Sequence, residues 1–143
     1  MQNIIKRAKI FCSENKERLT RPRKEVLKII SETRKPLKAY EILEKLGKVI
    51  DKPKAPTVYR AIEFWQQNGF IHRIESLNSY VLCRANYRHK ESQFMICDNC
   101  GLVIEAHTSQ LPDMLKSLTD KNTFLPSIFN LEIQGLCKLC QAT

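Results

Sequence analysis

The sequence predicts an α+β protein of two modules: a winged helix over residues 1–83, and a small α/β module over 93–143 built around a four-cysteine zinc site. A hinge at 84–92 joins them. Three observations predict this. Four apolar patterns of helical period precede a hairpin pattern. Two Cys-x-x-Cys pairs, Cys97–Cys100 and Cys137–Cys140, bracket the last third of the chain. Charge is also divided between the two parts.

The first helix is expected over Ile4–Ser13, with Ile5, Ala8 and Phe11 or Cys12 on one face. Cys12 has no cysteine or histidine beside it and reads as a small buried apolar residue. Thr20 N-caps a helix running to Ser31, where Pro22 is tolerated in the first turn and Val26, Leu27 and Ile30 face inward. A third helix covers Lys38–Lys48 with Ala39, Ile42, Leu43 and Leu46 as its stripe, and Gly47 ends it. The fourth opens at Ala55-Pro56-Thr57 and stops at Asn68-Gly69. Val58, Ala61, Ile62 and Trp65 form its buried stripe, which leaves Thr57, Arg60 and Gln67 on the far side. Short helices ending in this one match helix-turn-helix architecture with the last as recognition helix.

Phe70–Glu75 and Ser79–Cys83 then form a hairpin with its turn at Leu77-Asn78, the wing. Beyond the polar segment Arg84–Ser92 follow a strand at Gln93–Ile96, a knuckle at Cys97–Gly101 and a strand at Leu102–Ala106. A helix over Ser109–Lys121, a strand over Ile128–Gly135 and the second cysteine pair complete the chain.

Residues 1–90 carry 21 Lys and Arg against 9 Asp and Glu, net +12, whereas residues 91–143 carry 3 against 6, net −3. That split reads as a nucleic-acid-facing half joined to a half with another task. The start of the chain lacks the apolar core of a signal peptide, and no apolar run is long enough to span a bilayer. A cytoplasmic protein with reduced thiols is expected, which favours metal over disulfides. Four thiolates in two close pairs suit tetrahedral zinc, against the competing readings of a redox dithiol or a disulfide. With 36 residues between Cys100 and Cys137, the pairs clamp the ends of a folded unit.

A second site is suggested by the hairpin. With the turn centred on Leu77-Asn78, His72 falls directly opposite Cys83, their Cβ atoms about 4.5–5.5 Å apart, on the face shared by Ile74 and Val81. Such a pair binds one borderline-soft ion through nitrogen and sulfur, or simply packs. Further donors, His89 and Glu105, lie across the hinge. His107 is either another ligand or an ordinary surface or core histidine.

These residues resemble the ferric-uptake-regulator (Fur) superfamily of repressors and, within it, the zinc-uptake-regulator branch, Zur. The resemblance runs from Arg18-Leu19-Thr20 through Ala39-Tyr40-Glu41-Ile42-Leu43, Pro56-Thr57-Val58-Tyr59-Arg60-Ala61 and Ile96-Cys97-Asp98-Asn99-Cys100-Gly101 to Gly135–Cys140. The hairpin His72–Cys83 is what most resembles Zur. The resemblance implies structural zinc on Cys97, Cys100, Cys137 and Cys140 and regulatory zinc on His72, Cys83, His89 and Glu105, two ions per protomer. It also implies a homodimer formed by the C-terminal dimerisation domain. Its partner would be a double-stranded, AT-rich inverted-repeat operator of zinc-uptake genes.

Departures from the family pattern are local. The histidine cluster of iron-sensing relatives is reduced to His89, and no histidine-rich tail follows Cys140. Thr20-Arg21-Pro22 replaces the usual Thr-Pro, and Lys38 stands where Ser often caps the third helix, weakening that cap by about 1 kcal/mol.

For DNA, Arg60 is placed to pair with guanine O6 and N7 or to meet a phosphate. Tyr40 either approaches a base edge or packs as an aromatic. The resemblance associates both positions with operator contact. Arg21, Arg23, Lys24 and Lys54 are expected on phosphates, with Thr57 on the same helix face as Arg60. The sequence offers no catalytic constellation: His72-Arg73-Ile74-Glu75 and Met95-Ile96-Cys97 fit neither half of a zinc-deaminase signature.

Overall fold

Thr20 sets the first unit. Its Oγ accepts the Arg23 N–H at 3.4 Å, satisfying one orphan donor of the helix it caps. The computed structural model, which describes residues 3–84, 92–106 and 112–142, divides into two compact units, Met1–His89 and Lys90–Thr143. The division falls within the segment expected to be the hinge, of which residues 85–91 lie outside the described residues. Four helices build the first unit: α1 (Ile4–Glu14), α2 (Arg21–Ser31), α3 (Ala39–Leu46) and α4 (Ala55–Gln67). The expected third helix is one residue shorter at its start and two at its end. Lys38 is the cap and has no side-chain acceptor to offer, so only half a capping box forms: Glu41 Oε1 accepts the Lys38 N–H at 3.0 Å.

The apolar stripes meet as the periodicity predicts. Ala8, Cys12, Val26, Leu27, Ile30, Ile42 and Val58 are all buried in one cluster around Trp65, which is wholly enclosed. Phe11, Phe64, Trp65 and Phe70 stack edge to face with ring centroids 4.8–6.4 Å apart. Truncating an aromatic so enclosed costs about 3–5 kcal/mol. Gly69, at φ +75°, takes the left-handed conformation that ends α4 and lets the Phe70 N–H reach Trp65 O at 2.9 Å.

The wing is β1 (Ile71–Ile74) and β2 (Ser79–Leu82), antiparallel. Its register differs from the expected one: His72 lies opposite Val81, not Cys83, and Ile74 opposite Ser79. The connection is a four-residue loop, not a two-residue turn. A single 3₁₀ turn over Glu75–Leu77 is closed by Asn78 in the left-handed region, φ 46°, which moves the centre of the loop towards the N-terminus. Since the register moves by two residues, the faces are preserved. Ile71, Tyr80 and Leu82 meet the helices, while His72, Ile74, Ser79 and Cys83 are buried on the opposite face. Leu37 also bridges to β2, its N–H on Tyr80 O at 3.0 Å and its carbonyl accepting the Tyr80 N–H at 2.8 Å.

The second unit is a three-stranded sheet in the order β4 (Val103–Glu105), β3 (Ser92–Cys97), β5 (Asn130–Gly135). β4 is antiparallel and β5 parallel to the central strand. The parallel pairing requires a crossover, and α5 (Asp113–Lys121) lies within it. Of the helix expected over Ser109–Lys121, residues 109–111 lie outside the described residues. The short α6 (Lys138–Gln141) ends the unit. Phe94 and Ile96 are buried on one sheet face. On the other, Met95, Ile104 and Ile133 stand in direct register across the three strands and remain 41–53% exposed. Among the described residues, no helix is long and apolar enough to cross a membrane.

Candidate metal centre and nucleic-acid interface

The four cysteines converge because two strands end together. Cys97 closes β3 opposite Gly135 at the end of parallel β5, and the Asp98 N–H donates to Gly135 O at 2.8 Å. Past these ends each chain makes a tight turn. On the first, Gly101 at φ +78° lets its N–H reach Cys97 O at 3.0 Å; on the second, Cys137 leads into α6. The sulfurs of Cys97, Cys100, Cys137 and Cys140 all lie within 4.8 Å of one another, with Cys100 Sγ and Cys137 Sγ at 3.7 Å. A regular tetrahedron with Zn–S bonds of about 2.3 Å has edges of about 3.8 Å. The donor set fits zinc.

Proton affinities in the cluster point the same way. Backbone N–H groups of Cys100 and Cys137, with a smaller share from Asn99, lower the Cys97 thiol to about 6. At Cys140 the Asn99 side chain, whose Nδ2–H donates to Sγ at 3.3 Å, pulls downward. The neighbouring sulfurs of Cys137 and Cys97 outweigh it and push the thiol up to about 11. Cys100 feels the same conflict: the Leu102 N–H lowers it, the Cys97 and Cys137 side chains raise it, and the net direction is up. Sulfurs this close cannot all ionise unaided, and a bound dication removes the conflict. Asn99 is a feature the sequence reading missed. Its position between two ligand cysteines, with a side-chain amide donor, was the available signal.

On the hairpin, His72 and Cys83 are 3% and 5% exposed, and a His72 ring nitrogen lies within 4.8 Å of Cys83 Sγ. They are diagonal neighbours on one face, not direct partners. Cys83 N–H instead pairs with Phe70 O at 2.9 Å. Glu105 belongs to the second unit, half-buried on β4 opposite Phe94. His89 and His107 lie outside the described residues.

The outward face of α4 carries Arg60 and Thr57, and Tyr59 beside them is 56% exposed. Tyr59 was not singled out from the sequence, although it too falls off the buried stripe. Tyr40 on α3 is 66% exposed, so it is not a packed aromatic. No side chain caps α4, because Lys54 at its N-cap has no acceptor, and Lys54 itself is exposed. Arg21 is exposed but donates from Nη2 to Val49 O at 2.7 Å; Lys24 is half-buried. Arg23 turns inward, its guanidinium 3.7 Å above the Phe64 ring and on Arg18 O at 2.7 Å.

A profile of the Ferric uptake regulator family matches residues 14–134. The chain belongs to the ferric uptake regulator family. It is 37% identical to the zinc uptake regulation protein of Escherichia coli strain K12 over 141 residues, covering 97% of this chain and 82% of that one. Among solved structures, a zinc uptake regulator complexed with zinc and DNA superposes with a TM-score of 0.88 at 36% identity, covering 99% of this chain and 95% of that one. Holo XcZur gives 0.85 at 35% identity, covering 98% of each. The relatives it matches are regulators, not enzymes.

Proposed function

We propose that this family member is a zinc-responsive, DNA-binding repressor of zinc-uptake genes that works as a cytoplasmic homodimer. The observation that carries the reading is a division of labour between two donor sets. One is a complete four-sulfur cluster, and the other is a buried nitrogen–sulfur pair, His72 and Cys83, on the wing of the helical unit. The four cysteines would hold zinc permanently and fold the second unit. His72 and Cys83, with His89 and Glu105 from beyond the wing, would hold the regulatory ion. The sulfur of Cys83 favours zinc over iron or manganese there.

Bound at both ends, that ion supplies a cross-link between ligands of the two units. In a dimer the orientation of each winged helix sets the spacing of the recognition helices, and only one spacing fits both half-sites of an inverted repeat. Zinc and operator affinities are then linked, each raising the other by the same factor. The exposed row of Met95, Ile104 and Ile133 supports the second unit as the dimer surface. Arg60, Thr57 and Tyr40 supply base-directed groups, and Arg21, Lys24 and Lys54 supply charge for phosphates. Arg23, engaged within its own unit, is not among them.

The test is binding to a library of AT-rich inverted repeats at buffered free zinc, with iron(II) and manganese(II) in parallel. Binding that rises only with zinc is expected. An equal response to iron or manganese would overturn the zinc assignment while leaving a DNA-binding family member.

A further inference from the structure

Arg23 occupies the third position of α2, where the exposed amides of the first turn make a cation unfavourable. No acidic residue in that turn compensates. Its contacts are therefore made elsewhere, and they join three segments. The guanidinium lies 3.7 Å above the centroid of the Phe64 ring on α4. Nη1 donates to Arg18 O at 2.7 Å and stands 3.7 Å from the Glu17 carboxylate, in the segment between α1 and α2. The residue's own carbonyl accepts Trp65 Nε1–H at 2.8 Å. One residue thus holds two consecutive residues of α4, one through its side chain and one through its backbone.

Phe64 lies one turn beyond Arg60 and two beyond Thr57 on the same side of the helix. Arg23, Thr57 and Arg60 also line one open cleft at the foot of α4. We infer that Arg23 is a positioning residue, a clamp that fixes the recognition helix against the N-terminus of α2, and that it does not bind a DNA phosphate. This rests on the DNA-binding reading above for its consequence, but the clamp itself is a property of the free protein.

Trp65 is the single tryptophan of the chain, so its indole N–H gives one resonance that reports the bond to Arg23 O. In zinc-loaded, DNA-free Arg23→Met, that resonance should shift and exchange faster with solvent. Operator affinity should fall about tenfold, while the slope of log K against log salt stays as in wild type. Arg23→Lys keeps a cation over the ring but loses the fork to Arg18, and should recover part of both effects. Phe64→Leu removes the ring without altering charge. It should reproduce the faster indole exchange and the loss of affinity even if Arg23→Met does not fold; the shift alone does not count there, because the Phe64 ring lies 4.8 Å from that of Trp65. A salt slope reduced by about 0.9 in Arg23→Met, with the indole unmoved, would identify a phosphate contact and overturn the clamp. Unchanged indole exchange and normal operator binding in Phe64→Leu would do the same. Wild-type protein that binds no operator would defeat the proposed function, and the indole resonance would then decide the clamp alone.

Discussion

Replacing Cys100 by Ser should unfold the second unit and leave the first intact. The magnitude follows from how little each unit buries. Among the described residues of the first unit, twenty, Trp65 included, form one buried cluster. Among the described residues of the second, the buried apolar side chains are Phe94, Ile96 and Cys97, while α5, β5 and α6 contribute none. Full burial of Phe94 and Ile96 contributes about 3–6 kcal/mol, whereas a four-thiolate zinc contributes about 10–16 kcal/mol at neutral pH. If three sulfurs no longer retain the ion, its loss removes more than the local core supplies. The assay is urea unfolding followed in parallel by Trp65 emission and by limited proteolysis within residues 92–142, with zinc counted by metal analysis. In Cys100→Ser the second unit should be cut without denaturant and the zinc count should fall, while Trp65 keeps its native emission. A protease-resistant second unit that no longer holds this zinc would refute the reasoning, as would loss of native Trp65 emission in buffer.

Further outcomes are expected at single positions. Cys83→Ser should reduce zinc from two to one per protomer and abolish zinc-dependent operator binding, while the four-cysteine site keeps its metal; normal zinc-dependent binding would reject the site. Asn99→Ala should speed zinc transfer to a chelator about tenfold, because Cys140 loses its donor at 3.3 Å; unchanged transfer would show the amide to be idle. In the metal-free cluster Cys97 is a thiolate above about pH 6, whereas Cys140, raised to about 11, and Cys100 keep their protons at pH 7.5. Zinc uptake should therefore release at least the two protons held by Cys100 and Cys140, and affinity should rise with pH. Calorimetry in buffers of different ionisation enthalpy counts these protons, and fewer than two contradicts the assignment. Ile133→Glu, in the exposed row of the sheet, should give a monomer by sedimentation without loss of helical signal; an unchanged dimer would move the interface elsewhere.

Much of the fold was legible because its signals are local. Thr20, Pro56 and Asn68-Gly69 punctuate helices whose stripes meet as their spacing requires, and the cysteine pairs announce their own convergence. What failed was non-local or depended on a backbone state. The direct pairing of His72 with Cys83 assumed a two-residue turn. Asn78 in the left-handed region, following a 3₁₀ turn, gave four residues, and nothing in Glu75–Asn78 excludes either closure. The same-face placement survived because sheet faces alternate every two residues. Arg23 looked like any other exposed cation near a helix start. Only the approach of Phe64, 41 positions away, reveals its inward role. Tyr59 and Asn99 are plain in the sequence, but neither breaks a pattern that would mark it out.

Two hydrogen bonds outside the named strands carry a mechanical consequence. Leu37 exchanges both its backbone groups with Tyr80, the residue before Val81, which faces His72. Three positions on from Leu37, in the first turn of α3, stands Tyr40, which is exposed. The wing is therefore not a loose flap beside the helices: Leu37, two residues before α3, adds a third extended segment beside its two strands. If the His72–Cys83 face holds the proposed ion, stiffness introduced there would reach Tyr40 through two short hydrogen bonds and the three residues that follow Leu37. On the proposed function no long relay is needed, because the element that would grip the regulatory ion is already fastened to the segment that leads into α3.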